Sequence, residues 1–324
     1  NHSWNLPAET DQTKTSRKMV TRRWLIVSLM LFILSIPLSE FCEAKSFPDF
    51  AVLSQIQGKI KAGPAKKMVE GTNGLLLRHR HRVKTEKDGK ATVFIKDGSE
   101  IRLFADTELI VGAKKSRNSR WMRYRLVLLS GSFWGHFVRE KNPVEISGGS
   151  MRLQVSDASI RFSKKKTGTD ISVLNGTVRV FNKSSFVKLH GGQRLYQIQK
   201  NDFMPQKVSI IPNQLKLSLE PSEPVFQGDK TIELNLNLQV VRYGSDRAVE
   251  RPGPVHLRAN YYNLEIPDSI RLNTDGNAKA KIKVAPPNSE DRTFEGSVTF
   301  HAIMDQKGFD DVRDGTFKVK FRNL

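Results

Sequence analysis

The chain has 324 residues, which is enough for two domains of ordinary size. Hydrophobic residues make up 38% and charged residues 27%, so the composition supports a packed core and excludes a chain that is apolar throughout. The formal net charge is +20, and the single cysteine, Cys42, lies near the N-terminus, which excludes a disulfide framework or a thiolate metal site in the rest of the chain.

Residues 24–38 form the one long apolar run, and it is shorter than the roughly 20 residues that a membrane-spanning helix needs. Arg22 and Arg23 precede this run, and Cys42 and Ala44 are small residues just before Lys45. This pattern predicts a secretory signal peptide over residues 19–44, with residues 1–18 as a disordered or non-native extension. An uncleaved inner-membrane anchor that faces the periplasm stays open as the alternative.

Residues 45–204 read as short strands separated by turns. Asp88-Gly89 and Asp97-Gly98 flank the alternating segment 91–95, and further segments follow at 100–104, 107–111, 123–129, 144–146, 151–155, 160–162, 171–180, 187–189 and 193–195. Asn175-Gly176 predicts the two-residue turn of a hairpin within 171–180. No stretch shows an apolar period of 3.6 residues, so we expect an all-β domain, either a sandwich or a short β-solenoid.

Several short motifs recur here in a familiar order: Gln57-Gly58-Lys59-Ile60, then Asp97-Gly98-Ser99, then Gly192-Gln193 after an aliphatic strand. This series resembles the FecR domain between residues 57 and 193, with local departures at Arg80-His81 and at residues 158–160. The resemblance implies a module that binds or senses and does not catalyse. The resemblance to FecR regulators would also imply a cytoplasmic segment that binds a sigma factor. The residues before the apolar run are too few for such a segment, so we do not predict sigma-factor binding for this chain.

Prolines cluster in residues 205–224, which we interpret as a linker and a first strand. Residues 225–324 contain five alternating segments, at 231–241, 255–261, 279–284, 296–302 and 316–321. The alternation predicts strands with one buried face and one face in water. The turn Asp275-Gly276 resembles that of bacterial immunoglobulin-like domains, so we expect an immunoglobulin-like β-sandwich.

The sequence contains no motif of a hydrolase, a zinc protease or a nucleotide-binding loop, so we predict no catalytic residue, no metal and no cofactor. We interpret His79 and His81, which alternate with arginines, as part of a solvated basic strand. Asp97 and Ser99 are expected to form an Asx turn. Asp310, Asp311 and Asp314 are more typical of a polar loop than of a weak cation site.

The segment 114–125 concentrates cations around two aromatic residues. Arginine binds carboxylate or phosphate through its planar fork, and aromatic rings add stacking or cation–π contacts. We therefore predict a contact surface for an anionic partner, with a solvated loop whose rings turn back onto the core as the alternative. Its residues are Lys114, Lys115, Arg117, Arg120, Trp121, Arg123, Tyr124 and Arg125.

Together these features predict a non-enzymatic binding or sensing module in the periplasm or cell envelope. The expected partner is an envelope protein or an anionic glycan or lipid head group. Export excludes nucleic acid as a partner, and a membrane is expected only if the signal peptide is uncleaved. The alternative function is a structural or adhesive scaffold of the envelope.

Overall fold

The computed structural model describes residues 49–115, 122–138, 143–226, 229–259, 261, 263–267, 269–286, 296–304, 311–320 and 322–323. The predicted signal peptide and its alternative, the membrane anchor, lie outside these ranges. Within them, no helix is long and apolar enough to cross a membrane. One compact unit, Pro48–Leu324, contains all of the described residues.

The structure is nearly all β, as the alternating sequence predicted. The N-terminal part contains one short 3₁₀ helix, Met204–Lys207, among its described residues. Its fifteen strands are β1 (Ala51–Gln57), β2 (Ile60–Pro64), β3 (Val69–Glu70), β4 (Leu76–Leu77), β5 (His81–Thr85), β6 (Lys90–Ile95), β7 (Glu100–Leu103), β8 (Glu108–Lys115), β9 (Met122–Phe137), β10 (Val144–Gly148), β11 (Met151–Lys165), β12 (Gly168–Phe181), β13 (Phe186–His190), β14 (Gln193–Ile198) and β15 (Ser209–Ile210).

These strands belong to one hydrogen-bonded sheet that folds over itself into two layers. Layer 1 has the order β3-β2-β5-β8-β9-β10-β11-β12-β13, and it uses the first halves of β9 and β11 and the second half of β12. Layer 2 has the order β4-β1-β6-β7-β9-β11-β12-β14-β15 and uses the other halves. Alternate residues of both layers fill one apolar core.

The long strands turn the corner between the layers where the backbone allows it. Gly131, in the middle of β9, has φ +81°, a left-handed conformation that side chains other than glycine's rarely adopt. A Cβ atom there would lie 2.5 Å from the Thr107 Cα atom. The corner of β9 therefore requires glycine for both conformation and space.

The prediction that Asn175-Gly176 forms a hairpin turn is wrong. Gly176 has the expected positive φ of +78°, yet β12 continues through it and pairs with β11 on both sides. Asn175 pairs with Ser159, and the register shifts at that point. The dipeptide is thus the irregular corner at which β12 passes from layer 2 to layer 1, because a positive φ permits a bend in a strand as readily as a reversal.

The C-terminal part is a sandwich of two sheets around a second apolar core. Its first sheet has the order β20-β22-β18-β16-β24, and its second sheet has the order β21-β19-β23-β25. The strands are β16 (Asn213–Glu220), β17 (Val225–Phe226), β18 (Ile232–Arg242), β19 (Gly253–Ala259), β20 (Leu264–Glu265), β21 (Ile270–Leu272), β22 (Asn277–Val284), β23 (Ser297–Met304), β24 (Val312–Arg313), β25 (Gly315–Lys320) and β26 (Arg322–Asn323).

In this sandwich β16, β18 and β22 face β19, β23 and β25. Immunoglobulin-type sandwiches place their strands A, B and E opposite C, F and G, which is the same arrangement. The immunoglobulin-like assignment stays a prediction that this strand order supports. The first strand of the sandwich, β16, spans Asn213–Glu220.

Candidate functional site

The C-terminal sandwich covers the outer face of layer 2. Its second sheet, β21-β19-β23-β25, presents side chains that contact β7, β9 and β11 of layer 2. We call this contact the seam. Its main residues are Glu100, Arg102, Trp134, His136, Arg161, His256, Arg258, His301 and Asp314.

A buried carboxyl group lies at one end of the seam. The Trp134 Nε1–H donates to Asp314 at 2.9 Å, and the Arg161 guanidinium lies 3.7 Å from the other carboxyl oxygen. Arg161 also donates to the Met304 backbone carbonyl at 2.6 Å. Burial raises the pKa of Asp314 from 3.8 to about 6, although Arg161 and the Trp134 hydrogen bond act to lower it.

An ion-pair network occupies the other end. Glu100 accepts from Arg102 at 3.0 Å and pairs with Arg258 of the sandwich, while Arg102 also contacts the His256 ring. A cleft of about 330 Å³ opens beside this network, lined in part by Gln55, Thr92, Arg102 and His256. The network joins the two domains through charged groups of both signs. These residues do not include the nucleophile and general base that the active site of a hydrolase needs.

Two histidines face each other between these ends. The rings of His136 and His301 lie 5.6 Å apart, and the Trp134 ring stacks on His136. Burial lowers the pKa of His136, against Glu100 and Asp157, which raise it. Burial and then His136 lower the pKa of His301. Both rings are therefore neutral in the folded protein near neutral pH.

The seam corrects the prediction that the polar face of the C-terminal strands is in water. His256, Arg258 and His301 alternate with core residues as predicted, but the polar face of their sheet packs on layer 2. Of the three aspartates near the C-terminus, the two that the structure describes have separate partners. Asp311 pairs with Arg251, Asp314 faces Trp134, and Asp310 lies outside the described residues.

The opposite face of the N-terminal domain, the outer face of layer 1, remains open to solvent. Across strands β9 to β13 it carries five exposed cations, and Glu145 is the one carboxylate among them in the part of the chain that the structure describes. We call this surface the basic face. It consists of Arg123, Arg125, Arg152, Arg179 and Lys188, together with the aromatic pair Phe181 and Phe186.

The registers of the strands align these side chains. Arg125 pairs with Glu145 of β10, which pairs with Gln154 of β11, and the row continues through Arg179 of β12 to Lys188 of β13. In the next row Arg152 stacks on the Phe181 ring at 5.3 Å. Phe186 packs against Phe181 at 5.2 Å and is 51% exposed.

The predicted contact segment, residues 114–125, joins one end of the basic face. Arg123 and Arg125 are exposed on β9, and Lys114 and Lys115 lie on β8, where the structure describes their backbone alone. Arg117, Arg120 and Trp121 lie outside the described residues. Tyr124 differs from the predicted surface position: it is 5% exposed and stacks on Phe50 at 5.5 Å, because alternation on β9 directs it into the core.

The remaining sequence candidates have local structural roles. The Ser99 backbone N–H donates to the Asp97 carboxylate at 2.9 Å, which confirms the Asx turn. His79 Nδ1 accepts the Ala113 backbone N–H at 3.2 Å. Within the described ranges, no group of three or more histidine, cysteine, aspartate or glutamate side chains is placed to hold a metal ion.

Comparison with known proteins finds a family that resembles part of the N-terminal domain. The model of the family described as FecR protein matches residues 81–179. Residues 81–179 are similar to the FecR domain. The match covers most of the two-layer domain, from β5 into β12, and it includes the seam residues of layer 2 and most of the basic face.

Two solved structures of a "putative anti-sigma factor" from Parabacteroides distasonis are similar to part of the chain. They are 16% and 17% identical, have TM-scores of 0.33 and 0.32, and the match covers 40% of this chain. The chain spans 57% of the length of those proteins. No curated protein matches the sequence at a significant level.

Proposed function

We propose that this protein is a non-enzymatic sensing or signal-transduction module of the cell envelope. The observation that supports it best is the FecR domain with one face joined to the C-terminal sandwich and the other face left open. FecR proteins are regulatory rather than catalytic. In this proposal the protein is exported, and the basic face with the adjoining segment 114–125 contacts an anionic partner.

The seam gives the proposal a physical basis for signalling. Each of its principal polar groups on layer 2 has a partner on the sandwich, so a displacement of one domain changes the contacts of the other. When one domain shifts, charged contacts at an interface can exchange partners and so transmit a binding event from elsewhere on the molecule. A partner that binds the open face of the FecR domain would be sensed through this route.

Transcript profiling tests the proposal. A strain that lacks the protein should change the expression of a small set of genes, and the wild-type protein should restore it. The variant Arg120→Glu with Arg123→Glu should fail to restore it at equal protein abundance. The control variant Lys279→Glu with Lys320→Glu makes the same change in net charge on exposed positions of the sandwich and should restore it.

A structural or adhesive scaffold gives the opposite result. Loss of such a protein would alter envelope integrity or attachment and leave transcription unchanged apart from a general stress response. That outcome, or a wild-type protein found by cell fractionation in the cytoplasm, would contradict the proposed function.

A further inference from the structure

The basic face differs in charge from the other open sheet of the molecule. On the first sheet of the sandwich, two of the lysines pair with carboxylates: Lys281 lies 2.6 Å from Glu233, and Lys283 lies 3.4 Å from Glu265. On the basic face, by contrast, none of the five cations lies within 4.0 Å of a carboxylate among the residues that the structure describes. Mutual repulsion of these cations would be relieved by an anionic ligand.

The composition of the basic face favours recognition of individual acidic groups over general attraction to charge. Four of its five cations are arginines, whose planar forks bind carboxylate or phosphate through two parallel hydrogen bonds. A bilayer surface attracts lysine and arginine alike through its average potential. Phe181 and Phe186 add an apolar platform beside Arg152, on which the apolar face of a ring can pack.

The size of the basic face favours a narrow ligand. Strands β9 to β13 are separated by four intervals of about 4.8 Å, so the row from Arg125 to Lys188 spans roughly 19 Å. The rows of the face extend roughly 14 Å along the strands, since each row is two residues from the next. The resulting area of roughly 270 Å² is well below the roughly 800 Å² that each partner buries in a stable protein complex.

We propose that the basic face binds a linear acidic glycan, which lies across strands β9 to β13 along the row from Arg125 to Lys188. This inference rests on the proposed function, since an exported protein meets acidic glycans in the envelope. Arg125, Arg179 and Lys188 bind acidic groups along the chain. Arg152, Phe181 and Phe186 support a sugar ring beside the row.

Calorimetric titration of the full-length protein with polygalacturonate oligosaccharides tests the proposal. Arg152→Glu with Arg179→Glu should weaken binding at least tenfold, while the control Lys279→Glu with Lys320→Glu should change it less than twofold. Phe186→Ala should weaken binding severalfold and leave its salt dependence unchanged, because it removes apolar contact and no charge. Thermal unfolding of each variant shows whether it is folded, and surface substitutions of this kind should leave the melting temperature nearly unchanged.

Three comparisons would overturn the assignment. Equal affinity for poly-glutamate would indicate an acidic protein or any polyanion as the partner. Vesicles that contain both phosphatidylglycerol and phosphatidylcholine provide the second comparison. If the protein binds them as tightly as it binds the oligosaccharide, and Arg152→Glu with Arg179→Glu weakens both kinds of binding equally, the partner is a membrane. If Arg152→Glu with Arg179→Glu leaves the affinity for the oligosaccharide unchanged, the glycan binds elsewhere on the protein. If glycan binding fails while the transcript response is intact, only this inference fails; if the transcript response is absent, the proposed function fails.

Discussion

Replacement of Asp314 by asparagine should remove a pH dependence of stability that arises from one buried carboxyl group. The Asp314 side chain is 7% exposed and lies in the seam between Trp134 and Arg161. Asparagine has nearly the same shape and can still accept the Trp134 N–H, but it binds no proton in the accessible pH range. The substitution therefore isolates the protonation of this group.

The magnitude follows from the shift of the pKa. The folded state binds the proton more tightly than the unfolded state, because the pKa of Asp314 rises from 3.8 to about 6 on folding. The stability that the protonated group provides is fully present below pH 3.8 and is lost as the pH rises through 6. A shift of this size corresponds to about 3 kcal/mol between these limits.

Urea unfolding between pH 4 and pH 8 measures the effect on both proteins. His136 and His301 have lowered pKa values, so their contribution has the opposite sign and is lost as the pH falls below 6.5. Both proteins contain these histidines, so the stability of wild type minus that of the variant reports Asp314. That difference should fall by about 2.5 kcal/mol from pH 4 to pH 8, slightly less than the full amount because the unfolded-state carboxyl is already partly ionised at pH 4.

A difference that is flat with pH would show that Asp314 is accessible to water and that the seam is open in solution. A difference that rises with pH would show that the pairing with Arg161 outweighs burial. The exposed Asp246, whose pKa the Lys216 hydrogen bond lowers, is a useful control. Because the pKa of Asp246 is lowered from 3.8, Asp246→Asn should give a difference that is nearly flat from pH 4 to pH 8 and decreases only below pH 4, opposite in sign to that of Asp314→Asn.

Three further predictions concern the FecR domain and the N-terminus. Gly131→Ala should destabilise the protein by about 2–4 kcal/mol in urea unfolding, because backbone strain and atomic overlap add together. Gly74 has a similar φ of +86° but open space around it, so the control Gly74→Ala should cost about 1–2 kcal/mol. Equal costs for the two variants would refute the close packing at the corner of β9. Thr85→Val should cost about 1–3 kcal/mol, because the buried hydroxyl accepts the Thr107 N–H at 2.8 Å, and an unchanged midpoint would contradict that bond. N-terminal sequencing of envelope material should begin at or near Lys45, whereas a product that retains residues 24–38 would indicate the anchor.

The local pattern of the sequence was enough to predict the all-β fold, the strands and the order of the FecR motifs. Alternation along a strand records which residues face a core, and turns such as Asp97-Gly98 are determined by their own side chains. The sequence also shows directly that cations concentrate in residues 114–125, because those residues are consecutive in the chain. The other basic-face residues, Arg152, Arg179 and Lys188, lie on three different strands, and strand register alone brings them together.

Only the tertiary structure decided which polar faces are in water. Arg102 and Arg161 alternate with core residues in the same way as Arg152 does, yet they are 7% and 4% exposed beneath the sandwich, whereas Arg152 is exposed. Their partners, His256 and Asp314, are more than 150 residues away along the chain, as the pairs themselves show. A polar residue on a strand has the same local pattern whether its partner is water or a distant side chain, so the seam and the open face could be told apart only once the two domains were placed together.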